Sequence, residues 1–137
     1  MVRILVVDDD PFVLMFGDAL LQQPGRTVMT AASGADALGF LARPAPDLVL
    51  LDVGLPDLSG LEVLRVMRGA AAWDRTRILM LTASHDLDDI VKARQGGASG
   101  YVCKPVQPDT LAAMVADILE QEDLVWLDDY TRARRPG

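Results

Sequence analysis

Leu48-Val49-Leu50-Leu51-Asp52-Val53-Gly54-Leu55-Pro56-Asp57-Leu58-Ser59-Gly60 is the stretch that decides the fold. Four consecutive apolar residues followed by a loop holding glycine and proline read as a short strand buried on both faces. That strand ends on a carboxylate. Working outward, four further runs have the same character: Ile4–Val7, Thr27–Thr30, Ile78–Leu81 and Tyr101–Cys103. Between the runs, apolar residues recur at helical spacing: Phe12, Met15, Phe16, Ala19 and Leu20, then Ala37, Leu38 and Leu41, then Leu61, Val63, Leu64 and Met67. Strands that are apolar throughout require cover on both faces, and right-handed crossovers supply it with helices. The sequence predicts an α/β fold, a doubly wound sandwich around a five-stranded parallel sheet.

In such sheets ligands bind beyond the carboxyl ends of the strands, where the direction of winding reverses. The residues that follow the runs therefore carry the expected chemistry. They are Asp8, Asp9 and Asp10 after the first, Asp52 after the third, Thr82 after the fourth, and Lys104-Pro105 after the fifth. Carboxylates brought to one rim repel unless a cation holds them or one takes a proton. Mg²⁺, or Mn²⁺ in its place, suits Asp8, Asp9 and Asp52, because a hard divalent ion takes oxygen ligands and binds through carboxylates plus a phosphate oxygen. A carboxylate can also attack phosphorus and form an aspartyl phosphate, and Asp52 is the expected nucleophile. The Thr82 hydroxyl and the Lys104 ammonium would donate to the phosphoryl oxygens. Asp10, directly before Pro11, reads instead as the N-cap of the first helix.

Composition narrows the field. A chain of 137 residues, half of them hydrophobic, has the size of one domain. A net charge of −7 excludes a general nucleic-acid binder, so direct contact with nucleic acid is not expected. One cysteine, Cys103, allows no internal disulfide and reads as a small buried hydrophobe. Neither a signal peptide nor a membrane span is legible, and the expectation is a cytoplasmic protein with no membrane partner. His85, the single histidine, has no nucleophile or metal ligand arranged around it and reads as an exposed loop residue. Trp73 and the methionines fall at no cofactor-like spacing and read as core filling or surface.

Asp8-Asp9, the stretch from Asp52 to Gly60, Thr82-Ala83 and Lys104-Pro105 together resemble the receiver domain of two-component response regulators, the CheY-like family. The intervals support it: 43 residues from Asp9 to Asp52, 30 to Thr82 and 22 to Lys104. The resemblance covers roughly residues 2–122. It implies a flavodoxin-like (βα)5 sandwich in which Asp52 accepts a phosphoryl group from the phosphohistidine of a sensor histidine kinase or a phosphotransfer protein. It further implies that Asp9 and Asp52 ligate the metal directly with the backbone carbonyl of Gly54, while Asp8 acts through water. Pro56 and Gly60 shape the loop beyond the acceptor. Thr82 and Tyr101 form the switch, and Gly54 and Ser84 tune the lifetime of the phosphoryl group. The fourth helix, fifth strand and fifth helix form the output face, which in this family often pairs two copies. Such a protein is a signalling switch rather than an enzyme.

Two other readings compete. A receiver-like scaffold that never takes phosphate would keep the fold, but such chains usually lose an acidic residue, the acceptor or the lysine, and all are here. A haloacid dehalogenase-like phosphatase also uses an aspartyl nucleophile and Mg²⁺, yet it needs an acidic pair after the lysine strand where this chain has Pro105-Val106-Gln107-Pro108. The expected layout is a receiver over residues 1–122. Residues 123–137 would be a helical extension, a tail, or a linker to an effector domain outside this chain.

Overall fold

All five apolar runs become strands of one parallel sheet, each longer than its predicted stretch by a residue or more because ladder hydrogen bonds run on into the flanking residues. The computed structural model describes residues 1–83, 87–105 and 107–120, with only the backbone for Leu87. In chain order the elements are β1 (Val2–Val7), α1 (Pro11–Leu21), β2 (Arg26–Ala31), α2 (Gly34–Gly39), β3 (Leu48–Asp52), α3 (Gly60–Arg68), β4 (Arg77–Thr82), α4 (Leu87–Gln95), β5 (Gly100–Cys103) and α5 (Pro108–Glu120). Short 3₁₀ turns, Phe40–Ala42 and Ala71–Trp73, follow α2 and α3.

The strand order is β2-β1-β3-β4-β5. From β1 the chain first steps outward to β2, then returns to lay β3 on the other side of β1. Winding reverses between β1 and β3, and a crevice opens at their carboxyl ends. Val7 pairs with Leu51, so Asp8 and Asp52 leave the sheet side by side.

Side-chain alternation along the strands divides the interior in two. Leu5, Val7, Val49, Leu51, Ile78 and Met80 face the layer formed by α2, α3 and α4, where Val63, Leu64, Met67 and Trp73 meet them. Ile4, Val6, Leu48, Leu50, Leu79 and Leu81 face the other layer, packed by Leu21 of α1 and by Leu111, Met114, Val115 and Ile118 of α5. Each fully buried Leu or Ile stabilises the fold by roughly 2 kcal/mol. Cys103 is buried in the first layer, as its sequence position suggests. Trp73 is buried there too, as are Met67 and Met80, while Met15 stands 64% exposed. Among the described residues no helix is long and apolar enough to cross a membrane.

The face of α1 differs from the expectation. Phe12 is 75% exposed, and Met15 and Ala19 also face outward. The buried side is instead Gly17 and Leu21, flanked by the half-buried Val13, Leu14, Phe16 and Leu20. Pro11–Leu21 is apolar almost all round, with Asp18 its one charged residue, so helical periodicity fits more than one rotation. Packing selects the rotation that turns Gly17 onto Val6. Over the same seam, between α1 and α5, a cavity of about 500 Å³ is lined chiefly by apolar side chains, including Val13, Phe16 and Leu111.

Candidate functional site

Three carboxylates meet at the reversal point. One oxygen each from Asp8, Asp9 and Asp52 lies within 4.8 Å of the others. Asp8 is wholly buried, Asp52 is 5% exposed, and Asp9 is open to solvent. The Asp8 backbone extends the β1–β2 ladder by donating to the Ala31 carbonyl at 3.1 Å, which fixes where its side chain emerges. Its Oδ1 accepts from the Asp10 N–H at 3.0 Å, and Asp10 in turn caps α1, its Oδ1 accepting from the Phe12 N–H at 2.9 Å. The capping role read for Asp10 therefore holds, and it leaves Asp8 and Asp9 for the crevice.

Lys104 enters from the opposite side. Its Nζ lies 2.5 Å from Asp8 Oδ2 and 3.5 Å from Asp52 Oδ1. The end of β5 is anchored to the end of β4, because the Lys104 N–H donates to the Thr82 carbonyl at 2.7 Å. The Lys104-Pro105 peptide is cis. Thr82 is 4% exposed at the last position of β4, and the β3–β4 register pairs its predecessor Leu81 with Asp52. Tyr101, 6% exposed, packs in the α2–α4 layer and pairs with Met80. Ser84 and His85 lie outside the described residues, as do residues 121–137.

The electrostatics follow from this crowding. Burial first, and then the charge of Asp8, push the Asp52 carboxyl above its ordinary value, although Lys104 and the Gly54 N–H act against them. Burial would lower the Lys104 ammonium, but its hydrogen bond to Asp8 and the charges of Asp52 and Asp8 outweigh burial and hold it above the usual range. The site thus combines a carboxylate that favours a proton or a cation with an ammonium that keeps its charge. Three convergent oxygen donors, two of them buried, fit a hard divalent cation.

The loop between β3 and α3 closes the site. The Gly54 N–H donates to Asp52 Oδ1 at 3.2 Å, and the Val53 N–H donates to the Leu81 carbonyl at 2.9 Å. The Gly60 N–H returns to the Val53 carbonyl at 2.8 Å. A Cβ on Gly60 would lie 2.1 Å from the Asp52 carbonyl oxygen, so only glycine permits this close approach. Asp57, at the loop tip, accepts from the N–H groups of Gly34, Ala35 and Leu58 at 2.8, 2.9 and 2.9 Å. Sequence reasoning did not single out Asp57. Its partners on α2, Gly34 and Ala35, lie more than twenty residues earlier, and the local signal is limited to Ser33-Gly34, a helix start awaiting an acceptor.

Comparison with known proteins agrees with this geometry. The family model of the response regulator receiver domain matches residues 4–116. The transcriptional regulatory protein KdpE of Mycobacterium tuberculosis is 42% identical over 113 residues, 82% of this chain and 49% of its own length. AfsQ1 of Streptomyces coelicolor is 39% identical over 121 residues, 88% of this chain and 52% of its own. This chain therefore spans about half the length of the curated relatives it matches. Among solved structures, a CheY-like receiver domain protein of Methanospirillum hungatei superposes with a TM-score of 0.83 at 29% identity, covering 90% of this chain and 97% of that one. The BeF3-activated DrrB receiver domain gives a TM-score of 0.79 at 39% identity, covering 88% and 99%. Site geometry, sheet order and relatives agree: the chain belongs to the response regulator receiver domain family, a family of signalling proteins.

Proposed function

We propose that Asp52 is the phosphoacceptor and that a histidine kinase or a phosphotransfer protein is its donor. The observation that carries this reading is the convergence of Asp8, Asp9 and Asp52 at one strand-end crevice with the Lys104 ammonium beside them. Asp52 Oδ attacks phosphorus, the new P–O bond forms as the P–N bond to the donor imidazole breaks, and the imidazole leaves with a proton. Asp8, Asp9, Asp52 and the Gly54 carbonyl would hold Mg²⁺ or Mn²⁺, which neutralises charge on the transferring group. Lys104 and Thr82 supply donors to the phosphoryl oxygens. Attack by water later returns Asp52 to its free form, so the protein acts as a switch with self-limited lifetime, and Gly54 and Ser84 tune that lifetime.

The phosphoryl group adds negative charge and acceptor oxygens, which favours the arrangement in which Thr82 and Lys104 contact it. Because Thr82 and Lys104 are joined through their backbones, movement at one is felt by the other and by Tyr101 three residues upstream. The output face is then α4, β5 and α5, available to a partner or to a second copy. The match covers only about half of relatives described as transcriptional or DNA-binding regulators, which supports an effector domain joined through residues 123–137 to a receiver comprising residues 1–122. Nucleic acid would be contacted by that domain and not by this acidic one. The reading places the protein in the cytoplasm with its kinase's phosphohistidine.

Labelling with phosphoramidate and Mg²⁺, borohydride reduction of the acyl phosphate and peptide mapping test the assignment. Reduction at position 52 alone is expected. Reduction at Asp8 or Asp9, or none, contradicts it.

A further inference from the structure

Asp57 accounts for most of the start of α2. An α-helix leaves its first backbone N–H groups without partners, and here the first two, Gly34 and Ala35, donate to the two oxygens of Asp57. The third, Asp36, donates to the Ser33 side chain at 3.1 Å, and the Ala37 N–H reaches the Ser33 carbonyl at 3.0 Å. The contact is close enough to constrain sequence. A Cβ on Gly34 would lie 2.9 Å from Leu58 Cβ and 3.2 Å from Asp57 Oδ1. Asp57 is nevertheless exposed, and those N–H groups, Ala35 first and Gly34 next, hold its carboxyl below the ordinary range.

The same residue is the outer anchor of the β3–α3 loop. The loop's base is fixed by Val53 on Leu81 and by Gly60 on Val53. Its far side is fixed by Asp57 on α2. Gly54 lies between these anchors, two residues from Asp52, and its N–H already touches the Asp52 carboxylate. We propose that Asp57 is a positioning residue for the metal and phosphoryl site, a latch from the loop to α2 that holds Gly54 in register with Asp52. The inference rests on the reading of Asp52 and Gly54 given above. Outer partners that orient metal ligands commonly change metal affinity by at least an order of magnitude when removed.

The test compares wild type, Asp57→Ala, Asp57→Asn and Ser33→Ala by Mg²⁺ titration calorimetry, thermal melting, and the rate of adduct formation with acetyl phosphate. Asp57→Ala should bind Mg²⁺ about tenfold more weakly and form the adduct more slowly at limiting Mg²⁺, recovering at high Mg²⁺. Asp57→Asn, which retains one acceptor oxygen, should fall between. Ser33→Ala removes the other α2 cap and leaves the latch, so its melting temperature should fall while its Mg²⁺ affinity stays that of wild type. Unchanged Mg²⁺ affinity in Asp57→Ala would reduce Asp57 to a helix cap and overturn the proposal. Equal weakening in Ser33→Ala would assign the effect to α2 stability and overturn it as well. If Asp57→Ala does not fold, Asp57→Asn carries the same comparison. A wild type that binds Mg²⁺ but takes no adduct on Asp52 defeats the phosphoacceptor reading, while the Mg²⁺ comparison still decides the role of Asp57.

Discussion

Lys104 Nζ lies 2.5 Å from Asp8 Oδ2, joining the last strand of the sheet to the first across 96 residues of chain. With Asp52 Oδ1 at 3.5 Å, the ammonium is the internal counter-ion of two buried carboxylates. Removing one partner of a buried pair is costly because the other charge stays behind. Lys104→Met should destabilise the metal-free protein by about 3 kcal/mol, the low end for a buried pair because the lysine is partly exposed. The same substitution leaves the acidic residues more dependent on a cation, so Mg²⁺ should raise its melting temperature by more than it raises that of wild type. Equal Mg²⁺ shifts in the two proteins would remove Lys104 from the charge balance of the site.

Asp52→Asn tests the opposite side of that balance. Burial and the Asp8 charge raise the Asp52 carboxyl above 3.8 in the folded protein. A carboxyl raised on folding favours the native state while protonated, and that contribution is lost as pH climbs through the folded value. The contribution is therefore smaller at neutral pH than in acid. The asparagine variant without Mg²⁺ should therefore melt a few degrees above wild type at pH 7, corresponding to about 1 kcal/mol. The gap should close toward about pH 4. Scanning calorimetry across that range is decisive, and a variant less stable than wild type at pH 7 contradicts the sign.

Gly17 sits inside α1 although nothing requires glycine there. A Cβ would meet Val6 at 3.5 Å, an ordinary contact. Gly17→Ala should stabilise the protein by about 1 kcal/mol through helix propensity, read as a higher urea midpoint at unchanged slope. A lower midpoint would show that the α1 seam tolerates no added carbon.

Gly54 is exposed and a Cβ there meets nothing within 4 Å, so a side chain can leave the backbone there without a clash at its first carbon. Gly54→Arg should fold with wild-type stability and shield the acyl phosphate from water. A half-life longer by about threefold to tenfold corresponds to roughly 1 kcal/mol of barrier. An unaltered half-life would dissociate Gly54 from lifetime control.

The legibility of this fold has physical limits. Ile4–Val7 and Leu48–Leu51 could be read because strands buried on both faces need no alternation, and a run of aliphatic residues between polar ones has few other uses. Asp8, Asp9, Asp52 and Lys104 could be read because they stand at the ends of those runs, where the topology brings them together. The rotation of α1 could not, since Phe12, Val13, Leu14, Met15 and Phe16 offer every face an apolar side chain. Asp57 could not either, because what it holds depends on where α2 starts in space and not on its own neighbours.

The most direct test of the central claim is intact-mass analysis after incubation with acetyl phosphate, on wild type and Asp52→Asn, with Mg²⁺ and with EDTA. One phosphoryl adduct is predicted, in wild type alone and with Mg²⁺ alone. An adduct that persists in Asp52→Asn, or its absence from folded wild type that binds Mg²⁺, would contradict the assignment of Asp52 as the phosphoacceptor.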